Sequence, residues 1–174
     1  MRRARVGMGA VGAIVVAAVL PSCGGDGPSA PVRTLTSADV MGMPAGNATG
    51  ATFSGIYVVT AASLDGCSCR SGSCATIHAV TGTLTMVVQA DGMLTINADC
   101  VGGVDADGSF WCGGQSSVAD GVTLGISKGT FLVSSGKPTG LEVTQEETLV
   151  ATIDGVPTDC DFRGHATARL AATQ

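Results

Sequence analysis

Thr83-Leu84-Thr85-Met86-Val87-Val88-Gln89-Ala90-Asp91-Gly92-Met93-Leu94-Thr95-Ile96 is the stretch whose pattern decides the fold. Leu84, Met86 and Val88 alternate with Thr83, Thr85 and Val87, and beyond Asp91-Gly92 the residues Leu94 and Ile96 share the opposite face from Thr95. Period-two alternation around Asp-Gly marks two antiparallel strands and a tight turn. Parity chooses the turn. A two-residue loop, Asp91-Gly92, would set Val88 against Thr95. A three-residue loop, Ala90-Asp91-Gly92, pairs Val88 with Leu94 and Met86 with Ile96. That loop needs its third residue in the left-handed region, which glycine enters without steric cost.

The same punctuation recurs outward from this hairpin. Asp-Gly stands at 65–66, 91–92, 107–108, 120–121 and 154–155, and Gly136 to Gly140 adds a further turn. The inward set continues through Ala98 and Cys100. Val122, Leu124 and Ile126 are expected to face inward, with a bulge at Ser127–Gly129 shifting the pattern to Phe131 and Val133. Leu141, Val143, Leu149, Ala151 and Ile153 share one face. Phe162, Ala166, Ala168 and Leu170 form the dry side of the last strand, opposite Arg163, His165 and Arg169. One wet and one dry face is an antiparallel signature.

Composition agrees. The 174 residues hold 20 Val and 19 Thr but only two Lys, three Glu and four Gln, so strand formers dominate. With 45% apolar and 13% charged residues the chain is too apolar for a disordered protein. Nine basic against fourteen acidic residues leave no footprint for nucleic acid. About eight short-looped strands suggest an all-β fold, either an up-and-down β-barrel or a β-sandwich. Six aromatics among many Ala, Gly and Thr suit a tapering barrel interior better.

Phe53-Ser54-Gly55-Ile56-Tyr57-Val58 resembles the G-x-W opening of lipocalins, with Tyr57 in the Trp place. The meander over 52–174 is similar to lipocalin-like domains of bacterial lipoproteins. The resemblance implies an eight-stranded barrel that holds a small apolar ligand, with Tyr57 as a candidate residue of the ligand mouth. His78, at the start of a strand, is placed near the barrel mouth.

The N-terminus carries its own signal. Arg2, Arg3 and Arg5 precede an uncharged run, Val6–Leu20, then Leu20-Pro21-Ser22-Cys23. Basic start, short apolar core and small residues describe an export signal over residues 1–22. Leu20–Cys23 resembles the lipobox of bacterial lipoproteins. That resemblance implies cleavage before Cys23, lipidation of Cys23, and, from Gly24, sorting to the outer membrane of the cell envelope. Residues 23–51 show no sustained period and read as a flexible tether. Without residues 1–22 the net charge is −8, from six basic and fourteen acidic residues. Asn47-Ala48-Thr49 fits a glycosylation sequon, which a bacterial export signal makes irrelevant.

Seven cysteines are thus one plus six. Cys67, Cys69, Cys74, Cys100, Cys112 and Cys160 form an even set in an exported domain, which reads as a disulfide framework. Cys100 and Cys112 lie symmetrically about Ala106 and are expected to face each other across a hairpin. Cys160 is expected to meet Cys67 or Cys69, the remaining one closing on Cys74. A metal site at Cys67, Cys69 and Cys74 lacks the second pair that structural zinc needs.

Other motifs resolve into structure. Gly125-Ile126-Ser127-Lys128-Gly129 fits G-x-S-x-G, but strand sequence follows where an elbow needs a helix. Asp105-Ala106-Asp107-Gly108 lacks the later oxygens of a calcium loop and reads as a turn. Glu146 and Glu147 are neighbours on a strand and point to opposite faces. Trp111 has outward parity and is expected to pack under the Cys-rich loop, 65–76. No complete catalytic set, metal site or cofactor site emerges. The expectation is a non-catalytic, lipid-anchored envelope protein whose partners are the membrane and either a small apolar ligand or another protein. The alternative is a structural or inhibitory surface module that binds another protein through its Cys-rich loop.

Overall fold

The Asp91–Gly92 hairpin forms in the expected register: Met86 pairs with Ile96 and Val88 with Leu94. Gly92 closes the three-residue loop at φ +78°, and its amide donates to the Gln89 carbonyl at 3.1 Å. In the computed structural model, which describes residues 32–48, 52–79, 81–118 and 120–173, this hairpin is one corner of a closed barrel. Its strands are β1 (Gly55–Ser71), β2 (Thr83–Val88), β3 (Met93–Ile96), β4 (Cys100–Val104), β5 (Ser109–Val118), β6 (Gly121–Ser134), β7 (Lys137–Ile153) and β8 (Val156–Thr173). Each pairs antiparallel with the next, and β1 pairs with β8 to close the ring. The fold is therefore the up-and-down barrel and not the sandwich.

Turn chemistry explains most corners. Ser135-Gly136 and Asp154-Gly155 have positive φ at both residues, as two-residue hairpin loops require. Asp65-Gly66 is a correction. β1 runs straight through it with a register shift between Leu64 and Gly66, so the dipeptide is a bulge and not a turn. A turn with no glycine occupies 97–99 instead, with Asn97 at φ +50° and Ala98 at +69°. Ala98 therefore leaves the inward set.

The expected bulge at Ser127–Gly129 is also corrected. β6 keeps unbroken register with β5 and β7 across these residues. Inside the barrel stand Thr123, Gly125 and Ser127, which line its central void, while Leu124 and Ile126 join an apolar cluster on the outside. The cause is loop length. Val118 pairs with Gly121, so two residues, 119–120, join β5 to β6. A loop of even length flips the inward parity.

The outward Ile126 is 5% exposed because residues 32–48 cover it, and this corrects the expectation of a flexible tether through 51. The segment is a strap across the outer wall. Thr34 Oγ1 donates to Asp161 of β8 at 2.7 Å, and the Leu35 amide donates to Thr148 Oγ1 of β7 at 2.7 Å. Leu35 and Val40 then pack on Ile126 of β6. A short helix, α1 (Ser37–Val40), follows. The Asp39 carboxylate accepts from Thr36 N and Oγ1 at 2.8 and 2.6 Å, and these bonds hold its pKa below the ordinary value. Beyond α1 the strap passes β5, where Trp111 Nε1 donates to the Pro44 carbonyl at 3.0 Å. It ends at β4, where the Ala48 amide donates to Val104 O at 2.9 Å. Trp111 is outward as expected, but it packs under this strap and not under the Cys-rich loop. Cys23 and the export signal lie outside the described residues.

Candidate functional site

Along the inner face of β7, Val143, Gln145, Glu147 and Leu149 follow one another at period two. Val143 belongs to the larger apolar cluster, with Leu84, Met86, Leu94, Phe110, Phe131 and Leu141 among its members. Leu149 belongs to a second cluster with Ile77, Cys160 and Phe162. Gln145 and Glu147 therefore form a polar layer between two apolar ones. Cross-strand pairing adds Ser127 opposite Gln145, and Gly125 opposite Glu147 leaves room for the carboxyl. Thr123, Ser127, Gln145 and Glu147 are 5%, 6%, 6% and 2% exposed.

Glu147 Oε1 has no hydrogen-bond partner among the described residues. Burial alone pushes its carboxyl up to about 8, because a charge there would lose its hydration. The layer lines a void of about 20 Å3. A space of that size holds about one water molecule, whereas small-molecule sites run to roughly 300–1,000 Å3. The sequence reading missed this layer although its signal was present. Gln145 and Glu147 have the same parity as Val143 and Leu149, and only their polarity argued against the interior.

Tyr57 lies in the barrel core. It is 0% exposed, its hydroxyl donates to the Phe53 carbonyl at 3.0 Å, and its ring lies 5.6 Å from that of Phe131. Burial raises its phenol to about 12. Phe53 stacks on Phe131 at 4.6 Å and Phe110 lies 5.0 Å from it, so four aromatics fill this end. His78 lies in the segment between β1 and β2, beside Ile77, whose side chain is 3% exposed in the second apolar cluster. His78 itself is half-buried. Its Nε2 is buried and lacks a partner among the described residues.

The cysteines are brought together as three bridges. Cys100–Cys112 spans β4 and β5 with Cα atoms 5.4 Å apart. The register differs from expectation, since Cys100 pairs with Gly114 and Cys112 with Gly102. The bridge is thus diagonal about Asp107 and not symmetric about Ala106. Cys69–Cys160 joins β1 to β8 at directly paired positions, and Cys67–Cys74 closes the short loop after β1. The Sγ atoms of Cys67, Cys69 and Cys74 lie within 4.8 Å of one another. All three are bonded in disulfides, which leaves no thiolate to ligate a metal.

An ion-pair network supports this end. Arg70 reaches Asp159 and Asp161. Asp161 is 3% exposed. Burial works to raise its pKa, but hydrogen bonds from Arg70, Thr34 and Thr148 outweigh that and hold it below the ordinary value. Arg70 is raised in turn by its bonds to Asp159 and Asp161. Ser127 of the G-x-S-x-G motif faces the barrel interior in mid-strand. Asp107 accepts from Ser109 Oγ and N at 2.6 and 2.8 Å, as a turn residue, which lowers its pKa. Compared with known proteins, the chain matches no family, no curated protein and no solved structure.

Proposed function

We propose that this chain is a non-catalytic, lipid-anchored module of the bacterial cell envelope that works through its outer surface. The carrying observation is the filled interior. The void at Glu147 measures about 20 Å3, too small for the apolar ligand that the lipocalin resemblance suggested. The anchor rests on the sequence Leu20–Cys23 and on the three arginines that precede the apolar run. The contact surface is the Cys-rich segment, where Arg70, Ser71, Gly72, Ser73 and Ala75 are exposed. Two disulfides stiffen it, so little ordering entropy would oppose binding of another protein.

Native mass spectrometry of the protein from its own envelope should give the lipidated chain with no added small molecule. A stoichiometric apolar ligand would overturn the reading. Cys23→Ala should move the protein from the membrane to the soluble fraction. A photo-crosslinker at Ala75 should yield a discrete protein adduct in cells. An adduct from Lys128, which pairs with Trp111 across β5 and β6, with none from Ala75 would exclude the Cys-rich segment.

A further inference from the structure

Two of the three disulfides touch. Sγ of Cys74 lies 3.5 Å from Sγ of Cys69, and Sγ of Cys67 lies 3.9 Å from it. Each of these cysteines is bonded elsewhere, Cys67 to Cys74 and Cys69 to Cys160. Sulfur atoms at 3.5 Å are at van der Waals contact, the starting distance for a thiolate that attacks a disulfide. We infer that Cys67, Cys74, Cys69 and Cys160 form one thiol–disulfide exchange site that oxidises one equivalent of a dithiol, without turnover.

Exposure sets the order of events. Cys67 and Cys74 are partly exposed, and Gly72, Ser73 and Ala75 beside Cys74 are open to solvent, whereas Cys160 is 0% exposed. An external thiolate meets the outer bridge first. Its attack on Cys67 forms a mixed disulfide, breaks Cys67–Cys74 and leaves the electron pair on Cys74. The Cys74 thiolate attacks Cys69. The Cys69–Cys74 bond forms, Cys69–Cys160 breaks, and the electron pair moves to Cys160. Cys160 takes up a proton and, as a thiol, faces the Ser71 carbonyl at 3.6 Å. The second thiol of the reagent then attacks the mixed disulfide, closes its own disulfide and frees Cys67 as a thiol. One dithiol is oxidised, and one disulfide of the protein is reduced to the thiols of Cys67 and Cys160. Attack on Cys74 instead frees Cys67, whose neighbour is again Cys69. Exchange requires a thiolate, so acid stops it.

The test is partial reduction of the folded full chain with one equivalent of dithiothreitol, followed by acid quench, unfolding, alkylation and mapping of linkages. The expected product has Cys160 alkylated and Cys69 bonded to Cys74 or Cys67. Cys100–Cys112 stays intact as an internal control, since Cys100 is 6% and Cys112 0% exposed in the other cluster. Alkylation confined to Cys67 and Cys74, with Cys69–Cys160 intact, overturns the proposal. So does loss of Cys69–Cys160 with no new bond at Cys69 at any dose. Cys67→Ser gives a second reading, because it leaves Cys74 as a lone thiol. Cys69–Cys74 should then form without reductant and release Cys160, and a Cys74 that is alkylated beside an intact Cys69–Cys160 overturns the exchange.

Discussion

Gly113 lies directly beneath Val40: a Cβ at this position would sit 2.8 Å from Val40 Cα. The backbone there is extended strand, where alanine alone would be tolerated, so the hydrogen is required by the strap above it. Gly113→Ala should lift α1 and expose Ile126. The expected cost is about 1–3 kcal/mol, the range for overpacking. Faster hydrogen exchange at the Leu35 amide, with the barrel amides of β7 and β8 unchanged, would locate the damage in the strap.

Gly92 meets two demands at once. Its φ is +78°, and a Cβ would collide with the Gly46 carbonyl. Gly92→Val should destabilise the fold by about 2 kcal/mol or more, from left-handed strain and the clash together. Urea unfolding measures it. An unchanged midpoint would contradict both the turn and the strap contact.

Glu147 makes stability depend on pH. Its carboxyl is raised from 4.5 to about 8 in the folded state, so between these values the folded chain binds more protons than the unfolded one. The Glu147 contribution should therefore be complete below about pH 4.5 and be lost as pH rises toward 8, by up to about 1.4 kcal/mol per pH unit. Glu147→Gln should flatten the profile and be the more stable protein at pH 9. Thermal melts from pH 5 to 9 check the slope.

Asp161 acts with the opposite sign in a lower window. Its pKa is held below 3.8, so its contribution is present above that value and lost as pH falls through the lowered one. Arg70→Met removes the partner and leaves a carboxylate that is 3% exposed with only Thr34 and Thr148. About 1–2 kcal/mol should be lost at pH 7, since Arg70 itself is half exposed and partly screened. Asp161→Asn on this background should recover part of it, because the uncompensated charge is gone.

The bridges should differ in strength by the chain they enclose. Cys67–Cys74 closes a separation of 7 residues and Cys69–Cys160 one of 91. In the chain-entropy account these correspond to about 2.4 and about 4.6 kcal/mol. Paired Cys→Ala replacements, compared by denaturant midpoint under oxidising conditions, should keep that order.

The barrel was legible where alternation and turn residues agreed. The register at Met86–Ile96 followed from parity and one glycine. Ile96 and Cys100 are inward on different strands, joined by residues 97–99. An odd loop preserves parity, so alternation runs through that corner as if no turn existed, and Asn97 with Ala98 offers no glycine to mark it. The even loop at 119–120 did the reverse and reversed the reading of β6. Leu124 and Ile126 looked like core because they are apolar and buried, but the cover is the strap. Residues 32–48 carry no period because they lie across strands and touch a different one every few residues. The polar layer was lost to the assumption that Gln145 and Glu147 belong in water.

Cys69–Cys160 has a topological consequence. It turns residues 69–160 into a covalent ring that contains all of β2 to β7, while the flanking parts of β1 and β8 hang from it as two tails. A barrel built from a linear chain always has one seam where its two terminal strands meet. Here that seam can breathe at its hydrogen bonds but cannot part at the ring's knot, so two long strand edges stay hidden from other chains. Moving the bond from Cys160 to Cys74 would open that ring, and the seam would then hold by hydrogen bonds, packing and the ion pairs of Arg70 with Asp159 and Asp161.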